Sequence, residues 1–344
     1  MERVGIDRRN NMGLVRYFLA LAVVVHHFNA IFGTGYVWPM SAYHAVGGFF
    51  ALSGFLIYGS YMRSSSLKRY FEKRARKILP PYFFIVLACA LLLGFTATCS
   101  LSDYFSWQWA KYIASNGVFL NFLCPTLPGV FVENAVPAVN ASLWTMKIEW
   151  LLYASLPLAV WVVVKARWKM TWTAAVVILF SCGYRLWFRH LYEVTGNEVF
   201  LILSRQVFGQ LSYFYCGILI YLNYERFIRY RWAVAAVCTA LIVGKDLIPF
   251  YAYFVEPLVV SVLVIWFSMV GKWGRWGGTD DNVSYEIYLF HWPVIQLLWQ
   301  YRSSIGLPDW GLLILALAVT AGLACVCWFS FGKRILRGPV RMKK

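Results

Sequence analysis

The sequence predicts an all-α integral membrane protein of about ten transmembrane helices with both termini cytoplasmic, and three observations carry that expectation. Of its 344 residues, 60% are hydrophobic and only 14% charged, whereas soluble domains are about 45–50% apolar and about 25% charged. The apolar residues gather in runs near the roughly 20 residues that a helix needs to cross a bilayer. Lysines and arginines fall in short blocks between those runs. A net charge of +17 in a soluble chain would suggest a nucleic-acid partner; placed this way, it reads as membrane topology and no nucleic acid is expected.

Ten windows read as spans: 14–32, 44–62, 79–98, 148–164, 171–190, 207–222, 231–244, 249–270, 284–301 and 311–331. The first follows "MERVGIDRRNNMGLVR", which has no small-residue cleavage site, so it reads as a retained span rather than a signal peptide. Windows 207–222 and 231–244 are the shortest. With a cytoplasmic N-terminus, 25 of the 32 Lys and Arg residues lie in inside segments, which favours an even number of spans. The chain reads as one transmembrane domain over 1–344. It has a basic cytoplasmic arm at about 1–13, an external loop at about 99–147 and a basic cytoplasmic tail at 332–344. A connection as long as 99–147 is usually functional or disordered. Eight cysteines are scattered with no metal-ligand spacing, and no metal is expected. Cys99 and Cys124 fall in the external loop, where two readings stand: a bridge, worth about 3 kcal/mol by loop entropy, or two free thiols. The sequon Asn140-Ala-Ser142 reads as chance.

Five stretches carry chemistry. In the first span, Arg16 and His27 are eleven residues apart, about three helical turns, so they share a face roughly 16 Å apart along the axis. Ionisable groups in a bilayer are costly and mark function by default; the alternative is an interhelical hydrogen bond that only holds helices together. His26, about 100° round the helix, suits that alternative better. "VGGFFALSGFLIYG" at 46–59 offers small residues for close helix packing; Ser53 has no G-x-S-x-G context for a nucleophile. "KRYFEKRARKILPPYF" at 68–83 sets six basic residues before Pro80-Pro81. That cluster suits either a positive-inside anchor touching phospholipid or a grip on cofactor phosphates. "SLWTMKIEWLLY" at 142–153 puts Glu149 at the outer end of a span, where a carboxylate could orient His27 or pair with Lys147 or water. "SYEIYLFHWPV" at 284–294 sets His291 in mid-span, with Tyr285 and Tyr288 on one face.

In order, these stretches resemble the membrane-bound acyltransferase-3 family, bacterial O-acyltransferases that modify surface polysaccharides. The likeness covers residues 14–294: Arg then His in the first helix, FFxLSGFLI at 49–57, a basic run into proline, SLWxxxxE and SYxxYLxH. The resemblance implies that Arg16 and His27 are the family's Arg/His pair. It makes Glu149 the motif glutamate and His291 the closing histidine. Arg74 and Lys77 match the basic pair before the proline, where the family usually has a second arginine in place of Lys77. It further implies a bacterial inner-membrane enzyme in the stand-alone form, without the SGNH domain that larger members append. The donor would be cytoplasmic acetyl-CoA and the acceptor a hydroxyl of a cell-surface polysaccharide or its lipid-linked precursor.

On that reading, His27 and Glu149 are catalytic, with His27 as general base. Arg16, Arg74, Lys77 and His291 hold the acyl-CoA. Trp107, Trp109 and Trp144 would stack on the sugar or anchor at the aromatic belt. The rival readings are a polytopic transporter or flippase for a glycan or acylated small molecule, and a lipid-binding sensor without catalysis.

Overall fold

The computed structural model describes residues 10–270 and 281–337, and over these the chain is helical, with no strand among the described residues. Each of the ten apolar windows holds a principal helix. They are α1 (Met12–Phe32), α2 (Ala42–Met62), α3 (Leu67–Leu92), α4 (Trp144–Ala166), α5 (Met170–Thr195), α6 (Val207–Leu222), α7 (Arg231–Val243), α8 (Glu256–Met269), α9 (Ser284–Gln300) and α10 (Asp309–Cys327). Among the described residues six helices are long and apolar enough to cross a membrane: α1 to α5 and α10, three of them prolonged by a further turn or more. The other four windows hold helices of 16, 13, 14 and 17 residues, below the roughly 20 residues of a full span. In window 249–270 the shortening has a visible cause. Phe250 stands in the left-handed region at φ 56°, a four-residue turn Tyr251–Phe254 follows, and Pro257 opens α8. The basic segments expected at 1–9, 272–275 and 338–344 lie outside the described residues.

The chain divides into two compact units, each assembled from separated segments. The first holds residues 10–19, 43–67 and 148–270. It is organised around α6, whose faces are buried almost throughout, as expected of a helix apolar all round. Two glycines let α2 reach it. A Cβ added at Gly54 would stand 1.9 Å from the Phe214 carbonyl oxygen, and one at Gly217 would stand 2.0 Å from that of Ala51. Helix backbones this close require glycine on both sides. The same unit satisfies the C-terminal carbonyls of α8. The Asn11 main-chain N–H donates to Ser268 O at 2.8 Å, and its side-chain amide donates to Val270 O at 3.1 Å and Phe267 O at 3.3 Å. Those carbonyls have no partner within their own helix.

The second unit holds residues 20–42, 68–147 and 281–337. Here the segment 99–147 is an ordered part of the packing. It contains an amphipathic helix, Trp107–Gly117, tied to α3 by Tyr82 Oη donating to Asn116 O (2.7 Å) and by Trp109 Nε1 donating to Ala90 O (2.7 Å), while Tyr104 Oη of the preceding turn donates to the same carbonyl (2.9 Å). Trp109 is therefore anchored, whereas Trp107 is exposed. Of the two readings of Cys99 and Cys124, the structure has the free thiols, and Cys99 Sγ lies 3.6 Å from Pro128 O.

Candidate active site

The second unit brings two of the sequence-marked residues together. His291 is wholly buried in α9, and its Nε2 lies 2.7 Å from Nδ1 of His27 on α1. The two imidazole planes are 3° from parallel with centroids 5.0 Å apart, and Trp292 meets the His27 ring edge-on at 4.8 Å. His26 is exposed, its ring tilted 56° from that of His27. Of the adjacent pair, His27 faces the interior of this unit.

Hydrogen-bond chemistry settles the tautomers. His291 Nδ1 contacts Ile287 O at 3.3 Å, and a carbonyl oxygen only accepts, so Nδ1 carries the hydrogen and Nε2 a lone pair. At 2.7 Å that lone pair needs a donor, so His27 Nδ1 carries its hydrogen. His27 Nε2 is then left with a lone pair and no protein donor among the described residues. A neutral imidazole held this way is a base with a fixed direction.

The neighbours of this pair come from α9 itself, from the start of α4 and from the stretch before it. Thr145 Oγ1 and Tyr288 Oη are 2.9 Å apart, and Tyr288 lies 5.8 Å from His291 ring to ring. Asn134 Nδ2 donates to Gln296 Oε1 (2.8 Å). Gln296 Nε2 donates to Val136 O and Ala138 O (2.5 and 2.9 Å), and Trp292 Nε1 to Ala138 O (3.0 Å). Irregular backbone buried in this way is tolerated because α9 supplies side-chain donors to it. Sequence reading missed these partners; the signal available was the polar spacing of Trp292 and Gln296, four residues apart on one helix face.

The remaining candidates belong to other segments of the two units. Arg16 and Glu149 belong to the first unit, where Arg16 lies within electrostatic reach of Tyr153 and Glu149. Tyr153 Oη donates to Glu149 Oε1. The hydrogen-bond partner that the structure gives His27 Nδ1 is His291. Lys147, the other partner considered for Glu149, has its ammonium 4.4 Å from the centroid of the Phe122 ring. Arg74 and Lys77 belong to the second unit, near the start of α3; they are three residues apart and so neighbours on one face. Arg74 is half-buried and Lys77 exposed, with the buried Glu286 within electrostatic reach of Lys77. Arg76 of the same cluster is bonded by Glu72, one turn away. Among the described residues no three His, Cys, Asp or Glu side chains gather as a metal site.

Comparison with known sequences adds an independent finding. A family model described as an acyltransferase domain matches residues 9–331 and runs through both units. The chain is similar to Nodulation protein 10 of Rhizobium leguminosarum bv. viciae, 28% identical over 352 residues that cover 93% of this chain and 91% of that protein. It is also similar to an O-acetyl transferase of Shigella phage Sf6, 28% identical over 154 residues that cover 43% of this chain and 45% of the phage protein. No solved structure matches.

Proposed function

Because this chain belongs to the acyltransferase-3 family, we propose that this O-acyltransferase moves an acetyl group from cytoplasmic acetyl-CoA to a hydroxyl of a cell-surface polysaccharide or its lipid-linked precursor. The chain would lie in the bacterial inner membrane, its ten apolar helices crossing with both termini inside. The observation that carries the reading is the His27–His291 pair, which leaves one imidazole lone pair directed and unspent.

His27 Nε2 takes the proton of the acceptor hydroxyl as that oxygen attacks the thioester carbonyl carbon. The C–O bond forms and the C–S bond breaks. The coenzyme thiolate leaves and recovers the proton from the His27 imidazolium, so no net proton or electron is exchanged. His291 holds the His27 ring in the tautomer this requires; it does so in place of a carboxylate. Arg74 and Lys77 hold the anionic head of the donor, Arg74 as a bidentate fork and Lys77 as a point charge; Arg16 is proposed separately as a donor-binding residue from its motif position. Glu149, fixed by Tyr153, acts on Arg16 by charge. Purified protein in detergent is the test. Free coenzyme thiol should appear from acetyl-CoA only when an acceptor glycan is present; none released under any acceptor would end the proposal.

Arg74→Ala should raise KM for the acyl donor about tenfold or more, with a smaller effect on KM for the acceptor, as for lost charge-assisted hydrogen bonds. Lys77→Arg should retain activity, since guanidinium also binds phosphate. Equal losses toward both substrates, measured by steady-state kinetics, would remove the donor assignment.

Sidedness is tested by cysteine labelling in intact cells with an impermeant reagent. Tyr70 and Val130, natural choices from the sequence, are 0% and 1% exposed, so neither would report on its compartment. Lys68 and Glu133 are exposed. Lys68→Cys should be protected and Glu133→Cys labelled; the reverse would place the donor residues outside.

A further inference from the structure

Pro293 interrupts α9 two residues after His291. A proline has no main-chain N–H, so the carbonyl four residues earlier, Leu289 O, loses the donor that an uninterrupted helix would give it. Leu289 is completely buried, and a buried carbonyl without a donor is costly. The donor it receives comes from another segment: Asn140 Nδ2, at 2.8 Å.

The orientation of that amide is fixed from its other end. Asn140 Oδ1 accepts from the Ser142 hydroxyl at 2.6 Å and from the Ser142 N–H at 3.2 Å. Two donors on one atom identify it as the oxygen, which leaves the NH₂ group facing Leu289. Asn140 thereby caps the short helical turn Ala141–Leu143 that leads into α4, and in the same act replaces the missing bond of α9. It is 6% exposed, so water does not compete for these contacts.

The replaced bond lies where it bears on the histidine pair. Leu289 and Pro293 bracket His291 on either side, and the Ile287 carbonyl that sets the His291 tautomer is two residues before Leu289. A kink at a proline swings the two halves of a helix about the unbonded carbonyl. A displacement near 1 Å at a catalytic group can cost about 10²-fold in rate.

We propose that Asn140 is a positioning residue for catalysis: its side-chain amide substitutes for the main-chain N–H removed by Pro293 and so holds His291, and through it His27, in register. This rests on the reading of His27 as the general base. The relation predicts a specific coupling. Pro293→Ala restores an N–H at position 293, able to reach Leu289 O, and should make Asn140 dispensable.

The experiment is a double-mutant cycle on full-length protein, with kcat and KM for acetyl-CoA measured per folded molecule after size exclusion in detergent. Asn140→Ala should lower kcat about tenfold or more and leave KM for the donor within about threefold. In the Pro293→Ala background the same substitution should lower kcat by less than about threefold. Equal losses in both backgrounds, or no loss from Asn140→Ala, would overturn the proposal. If Asn140→Ala yields too little folded protein, the cycle is read with Asn140→Ser, which keeps the cap oxygen and loses the amide donor; a Ser variant with wild-type kcat also overturns it. His27→Ala in parallel separates the two ideas. An inactive His27→Ala with no coupling between 140 and 293 rejects the positioning role alone, while an active His27→Ala rejects the base on which it rests.

Discussion

His27→Ala should reduce acyl transfer by about 10²- to 10⁴-fold, the contribution of a positioned general base, while the protein still inserts and elutes as a folded species. The loss should fall on kcat, because a proton accepted in the transition state is not accepted in the bound substrate. His26→Ala should keep most of its activity, since that ring is exposed and hydrogen-bonds neither His27 nor His291 among the described residues. His291 supplies the finer test. His291→Gln keeps an oxygen able to accept from His27 Nδ1–H, and should fall between wild type and His291→Leu, which offers no acceptor. If Gln and Leu at this position were equally active, the tautomer chain from Ile287 O through His291 to His27 would have no catalytic meaning. If His26→Ala were the inactive variant, the assignment of the base would be wrong.

Gly54→Val should abolish recovery of folded protein, an expected loss of more than about 4 kcal/mol that belongs to the exceptional tail of single substitutions. The cause is main chain meeting main chain. A Cβ at position 54 would stand 1.9 Å from Phe214 O and 2.7 Å from Phe214 C, and neither can move without displacing α6. Gly217 faces the mirror problem against Ala51 O and Phe55 N at 2.0 and 2.8 Å, so the two glycines are one contact seen from both helices. Gly47 and Gly59 also sit tight, but against the side chains of Tyr213 and Tyr221, which can turn, and Ala there should be milder. Gly183→Ala is the control, since nothing lies within 4 Å of its added Cβ. Ser53→Ala should accumulate and remain active, as expected of a packing residue. The readout is monodisperse protein and its melting temperature in detergent. A Gly54→Val protein as stable as Gly183→Ala would refute the contact.

Residues 46–59 show why such a motif is legible in sequence but its partner is not. "VGGFFALSGFLIYG" announces close packing, because four glycines in one apolar helix have little other use. Which helix it receives depends on Gly217, about 160 residues away in a run that looks like any other apolar window. Arg16 and His27 were likewise visible as ionisable groups in an apolar stretch, and eleven residues is a helical period. That His27 meets His291 at 2.7 Å rather than a carboxylate depends on how α1 and α9 are brought together, and no local pattern encodes a separation of 264 residues. Asn140 was set aside as a chance sequon. The orphaned carbonyl that it serves could have been inferred from Pro293, since a proline in mid-span always leaves one.

By itself, then, the sequence determined what each segment is: helical and apolar enough for a membrane, with basic blocks between helices and imidazole, carboxylate and guanidinium groups at motif positions. These follow from hydropathy, helical period and residue chemistry, which act over one or two turns and survive any arrangement of the helices. Only the tertiary structure decided how far each apolar window extends as helix and that segment 99–147 packs as ordered structure. It alone decided that Cys99 and Cys124 stay apart and that His27 is paired with His291. The physical reason is common to all of these. They are set by steric fit and by the need to give every buried donor and acceptor a partner, and such constraints are resolved between segments far apart in the chain, after local propensity has had its say.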